Sequence, residues 1–108
     1  MKESFAEFIR NKRNELGLTQ TKLAAALELD AASLSKIETG KKVLDEDKLK
    51  ILAKIFKIDL KTLKEEYLSE KIAHTLIKYQ SPERILILAE QKVKYYKSKK
   101  VKQATLNL

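Results

Sequence analysis

The chain has 108 residues, enough for one small domain with an appendage and for one modest core. Its 44% hydrophobic content excludes wholesale disorder, and two Gly and one Pro are too few for a turn-rich β-sandwich or barrel. The absence of Cys excludes disulfides, zinc fingers, iron–sulfur clusters and thiol catalysis, and fits a reducing cytosol, while a formal net charge of +8 favours a polyanionic partner.

The first residues hold no apolar run ahead of a small-residue cleavage site, so no secretory leader is expected and the protein is placed in the cytoplasm. No apolar run exceeds the length of Ile85 to Ala89, far short of the ~20 residues that cross a bilayer, so no membrane partner is expected. Residues 1–58 carry 12 Lys/Arg against 9 Asp/Glu, whereas Lys92, Lys94, Lys97, Lys99, Lys100 and Lys102 fall within eleven residues that contain no acid. The basicity is therefore mostly a property of the tail, and a specific nucleic-acid site must come from the first half.

Six helical segments are predicted from caps and apolar spacing. The first starts at Ser4, where Ser4 and Glu7 form a capping box, turns Phe5, Phe8, Ile9 and Leu16 inward, and stops at Gly17. The second runs from the N-cap Thr19 to about Leu27, with Leu23, Ala24 and Leu27 inward. Asp30 caps the third, Ala31 to about Thr39, with Leu34 and Ile37 inward and Gly40 as its stop. Lys41 to Leu44 reads as a loop, after which Asp45, Glu46 and Asp47 place negative charge at the start of the fourth helix. Leu49, Leu52, Ala53 and Phe56 form the inner face of that helix, which ends near Ile58.

Asp59 caps a fifth segment reaching to about Gln80, with Leu60, Leu63, Tyr67, Ile72, Leu76 and Tyr79 along one side. Ser81 as N-cap, Pro82 at the first helical position and Glu83 after it start the sixth, which carries Ile85, Leu86, Leu88, Ala89, Val93 and Tyr96. The caps and apolar spacing are those of helices from end to end, so the expected fold is all-α.

The segment Gln20 to Glu38 is a short helix, a tight turn and a second short helix, the arrangement that lays a helix in a DNA major groove. With Leu34 and Ile37 facing the core, Ala32, Ser35, Lys36 and Thr39 fall on the opposite edge, with Ala31 at the amino end. None of these is acidic, so the edge can approach a phosphate backbone closely.

At these residues the sequence resembles the lambda-repressor-like, Cro/XRE family of helix-turn-helix DNA-binding domains. The matching features are Arg13 ahead of Leu16-Gly17-Leu18-Thr19-Gln20, Leu23-Ala24, the run Leu34-Ser35-Lys36-Ile37-Glu38, Gly40 with Lys41-Lys42, and Leu52-Ala53-Lys54. They cover about residues 4–68 in register. The resemblance implies a five-helix core; the caps and apolar spacing beyond it predict an additional C-terminal helix that forms a helical hairpin or dimerisation element. It also implies a phosphate contact for Gln20, further phosphate positions for Ser33, Lys41 and Lys42, and base-edge positions for Ala31, Ala32, Ser35, Lys36 and Thr39. Lys36 is the strong charged donor to guanine in this set, and the alanines suit a thymine methyl. With no Arg, Asn or Gln among the base-edge positions, a large share of specificity is expected from DNA shape and phosphate contacts. Arg13 and Glu38 match a family pair that joins helix 1 to the end of helix 3. Glu28 departs from the pattern, which often has Gly there. Either it takes a left-handed conformation at a cost of about 1–2 kcal/mol, or the helix continues one residue further.

One such domain touches half a binding site, so a homodimer on double-stranded DNA is expected. Leu86, Ala89, Val93 and Tyr96 form a short coiled-coil-like stripe that Ile85 and Leu88 widen, and the fifth helix adds Tyr67, Ile72, Leu76, Ile77 and Tyr79. The expected division is a DNA-binding domain over residues 1–68, a helical dimerisation extension over 69–99 and a basic mobile tail over 100–108. His74 lies off the main stripe and takes no ligand role. The sequence contains no nucleophile–His pairing, metal-ligand spacing or Gly-rich phosphate loop, so neither an enzyme nor a cofactor or metal is expected. The expected function is a sequence-specific transcription regulator of bacterial or phage type, more commonly a repressor, on an inverted repeat. The alternative is an antitoxin-like protein that holds another protein through its C-terminal helices and binds DNA only for autoregulation.

Overall fold

A computed structural model of the chain describes residues 3–99. These residues form six α-helices and no strand: α1 (Phe5–Glu15), α2 (Gln20–Ala26), α3 (Ala31–Glu38), α4 (Leu49–Phe56), α5 (Leu60–Leu76) and α6 (Pro82–Ser98). A 3₁₀ turn, Glu46–Lys48, leads into α4. Asp45 to Asp47 thus sit in and before that turn rather than in the first turn of the α-helix, and Asp45 makes no side-chain cap bond. The chain divides into two compact units, the first ending at Glu70 and the second beginning at Lys71.

Local chemistry explains where the helices begin. The Ser4 hydroxyl accepts the Glu7 amide at 3.1 Å while Glu7 Oε1 accepts the Ser4 amide at 2.9 Å, a completed capping box. The Glu7 carboxyl is held below the usual carboxylate range by its Ser4 bonds and then by Arg10. Glu70 of α5 reaches back to the Phe5 amide at 3.2 Å, satisfying another orphan donor of α1. Thr19, Asp30 and Asp59 cap α2, α3 and α5 through the amides of Lys22, Ser33 and Thr62. Ser81 departs from expectation: it precedes α6 at φ −129°, ψ 64° and makes no side-chain cap bond.

The helix ends share one device. After α1, α2, α3 and α4 the chain turns left-handed at Gly17, Glu28, Gly40 and Lys57, with φ of 70°, 59°, 78° and 57°. In each, the next amide reaches back five residues: Leu18 to Arg13, Leu29 to Ala24, Lys41 to Lys36 and Ile58 to Ala53, at 2.8–3.0 Å. These are Schellman stops, which satisfy otherwise orphaned carbonyls. Glu28 therefore takes the left-handed conformation rather than continuing the helix.

The core lies in the first unit. Leu34, Leu49 and Leu52 are fully buried, and Ile9, Leu23, Leu27, Phe56 and Leu63 nearly so. Each contributes roughly 1.5–3 kcal/mol by burial. Phe5 packs edge-on against Tyr67 at 5.5 Å, and Phe8 against Phe56 at 6.1 Å. The Tyr67 hydroxyl donates to the Leu44 carbonyl, anchoring the loop after α3, and Leu44 itself is buried. Leu16 is exposed, contrary to expectation, because α1 ends at Glu15 and Leu16 serves as its C-cap.

In the second unit α5 ends at Leu76, short of the expected Gln80, and residues 77–80 are turn and bend. No described residue after Tyr67 is buried; along 71–99 only Leu76 and Pro82 are even half-buried. Residues 100–108, and with them the expected basic tail, lie outside the described residues.

Candidate nucleic-acid interface

The first unit builds a helix-turn-helix from three fixed points. Thr19 starts α2 and the left-handed Glu28 ends it. Asp30 Oδ1, 2.6 Å from the Ser33 amide, starts α3 two residues later. The Asp30 carboxyl is held below the usual carboxylate range by the Ser33 backbone and side-chain bonds first, then by Lys42 and Lys36. Leu34, Ile37 and Glu38 bury one edge of α3. On the other edge Ala31, Ala32, Lys36 and Thr39 are exposed, and Ser33 and Ser35 are half-buried. The Thr39 hydroxyl donates to the Ser35 and Lys36 carbonyls at 3.0 and 3.2 Å, closing the helix end.

Lys41 and Lys42 follow on the loop and are both exposed. Lys42 Nζ lies 3.4 Å from Ser33 Oγ, so this loop cation is brought beside the first turn of α3. The exposed edge of α3 and the loop after it thus combine small side chains with Lys36, Lys41 and Lys42, a surface that a polyanionic backbone can meet closely.

Glu38 holds this edge at its angle. It is the one buried charged residue among those described, with 3% of its surface exposed. Arg13 Nε donates to Glu38 Oε2 at 2.7 Å and Arg13 Nη2 to Oε1 at 3.1 Å, a bidentate pair. Arg13 Nη1 also donates to the Leu18 carbonyl at 2.8 Å, and Gln20 Nε2 to Glu38 Oε1 at 3.0 Å. One carboxylate thereby gathers α1, the start of α2 and the end of α3. Gln20 is half-buried and has this internal partner, a contact that reading the sequence did not foresee; it retains its side-chain oxygen and a second N–H.

Of the residues expected for dimerisation, Tyr67 is buried in the core of the first unit and the others lie outside it. Leu76 is half-buried, and Tyr79, Ile85, Leu86, Ala89, Val93 and Tyr96 are exposed, as are Ile87 and Leu88 beside them. Tyr95 and Tyr96 pack edge-to-face at 5.3 Å, and Lys99 Nζ lies 5.5 Å from the Tyr95 ring centre. Among the described residues no helix is long and apolar enough to cross a membrane.

A helix with one anchored edge and one basic, acid-free edge, introduced by a second short helix across a tight turn, defines a helix-turn-helix DNA-binding domain. The helix-turn-helix family model matches residues 9–63, and the chain belongs to this Cro/XRE-type family of DNA-binding transcription regulators. No curated protein and no solved structure matches the chain.

Proposed function

We propose that the protein is a homodimeric, sequence-specific transcription repressor of the cytoplasm that binds an inverted-repeat operator with α3 in the major groove. The observation that carries this reading is the two-sidedness of α3: Leu34 and Ile37 are buried while Ala31, Ala32, Lys36 and Thr39 are exposed and carry no acid. In this reading Ala31, Ala32, Ser35, Lys36 and Thr39 meet base edges, and Gln20, Ser33, Lys41 and Lys42 meet phosphates. The base-edge set holds one strong donor, Lys36, so operator choice draws heavily on DNA shape.

A homodimer is supported by the exposed apolar side chains of α6 and the end of α5. Ile72, Ile77, Tyr79, Leu86, Ile87, Val93 and Tyr95 each leave half or more of their surface to solvent. Such a set on a folded chain marks an interaction surface. A second copy bound there would give the protein the two reading heads that an inverted repeat requires. Residues 1–68 then serve DNA reading and 69–99 dimerisation, and occupancy of a promoter excludes the polymerase.

Selection of bound duplexes from a random pool tests the reading. The expected outcome is a palindrome whose half-site centres lie one helical turn apart, ~34 Å. Recovery of an unenriched pool would overturn it.

A further inference from the structure

The charges on α6 are distributed unevenly along its length. Its amino-terminal half carries Glu83, Arg84 and Glu90; its carboxy-terminal half, with the residue that follows it, carries Lys92, Lys94, Lys97 and Lys99 and no acid. Glu83, Glu90 and Lys97 are spaced by seven and share one edge of the Leu86–Ala89–Val93–Tyr96 stripe, while Ile85, Lys92 and Lys99 share the other. Every one of these charged side chains is exposed.

Resting on the homodimer reading above, we infer that two copies of α6 pair antiparallel through this stripe. In a parallel pair the two edges face each other, which brings Lys92 of each copy against Lys97 of the other and supplies no attraction. The lysine-rich ends would also lie side by side. In an antiparallel pair each edge faces its own copy reversed. With Leu86 beside the second copy's Tyr96 and Ala89 beside its Val93, Glu83 meets Lys97 at both ends of the interface. Glu90 and Lys92 then meet their own copies at the two-fold axis on opposite edges, leaving one like-charge contact of each sign. Opposed macrodipoles favour the same orientation. The 17 residues of α6 span about 25 Å, so the Glu83 and Lys97 pairs sit near the two ends of the interface.

The absence of native Cys makes cross-linking the direct test. Glu83→Cys and Lys97→Cys chains are prepared separately, mixed and mildly oxidised. The expected product is the mixed disulfide that joins one chain of each variant, in at least fivefold excess over either self-linked species. A mixture of Lys92→Cys and Lys97→Cys chains probes the parallel arrangement in the same way, and a dominant mixed disulfide there, with none between Glu83→Cys and Lys97→Cys, would overturn the orientation. Charge reversal reads the same point without oxidation. Glu83→Lys and Lys97→Glu should each raise the dimer dissociation constant several-fold, and the double variant should restore it, which a parallel pair would not do. Sedimentation of the unaltered chain separates the two claims. A dimer that links Lys92→Cys to Lys97→Cys chains overturns the orientation alone, and a monomer across the concentration series overturns the homodimer itself.

Discussion

Gln20 Nε2 lies 3.0 Å from Glu38 Oε1, on the same carboxylate that receives Arg13 through two bonds. The residue at the start of α2 is thus tied to the end of α3. Glu38 accepts from both α1 and α2 as well as belonging to α3, so its charge is paired where water is excluded.

Removing Arg13 leaves the buried Glu38 charge with the neutral Gln20 amide and no cation. Arg13→Ala should destabilise the fold by about 3–5 kcal/mol, measured as the shift in urea midpoint at constant slope. Replacing both partners with apolar residues of similar volume, Arg13→Met with Glu38→Leu, should cost clearly less. Equal losses for the single and the paired substitution would mean that the bond itself, rather than the stranded charge, dominates.

Lys36 and Lys42 should separate by the kind of binding they support. Lys36→Ala should lower affinity for the selected operator by about 1–2 kcal/mol per half-site and leave random DNA nearly unaffected. Lys42→Ala should weaken both alike and reduce the salt slope by ~1 per half-site. Titrations of both variants at several salt concentrations check this, and a uniform loss for Lys36→Ala would move that residue to the phosphate class.

Glu28 adopts φ 59° at a position where glycine carries no side-chain penalty. Glu28→Gly should therefore stabilise the domain by about 1 kcal/mol after the entropy cost of glycine, with a Tm rise of roughly 4–8 °C. Glu28→Ala keeps the strained backbone and should leave Tm little changed.

Asp30 caps α3 as a carboxylate, and its pKa is depressed in the folded protein by Ser33, Lys42 and Lys36. A depressed value means that the stabilisation is present above the ordinary carboxylate range and is lost as pH falls through the lowered value. Urea midpoints should therefore drop below about pH 4. Asp30→Asn, which retains a capping oxygen, should show a shallower drop, with Glu7 supplying the part that remains.

Leu86 is half-exposed in the single chain, so Leu86→Asp should leave the fold intact. It should convert the proposed dimer to a monomer in sedimentation, with unchanged far-UV circular dichroism. An unaltered dimer would place the interface elsewhere.

Much of this architecture was legible because its signals are local. Ser4 with Glu7, Thr19, Asp30 and Asp59 announce helix starts through short-range bonds, and Leu34 with Ile37 fixes which edge of α3 is inward. What escaped is non-local or depends on backbone choice. The Gln20–Glu38 bond and the Tyr67–Leu44 anchor join residues far apart in sequence, so no spacing rule marks them. Leu44 read as loop yet is buried, because its partner comes from α5. Leu16 continues the apolar pattern of α1 but falls past its last turn. Ser81 has the composition of a cap without the backbone geometry, since ψ 64° is far from the extended value that Ser4, Thr19 and Asp30 adopt.

The confinement of all described burial to residues up to Tyr67 has a calorimetric consequence. Heat-capacity change on unfolding follows the surface newly wetted, about 12–15 cal/mol/K per residue in an ordinary domain. A lone chain should therefore melt like a protein of some seventy residues, near ~0.9 kcal/mol/K, rather than the ~1.4 that its full length suggests. The shortfall is a gauge: it should shrink under whatever conditions bring a cover onto α6.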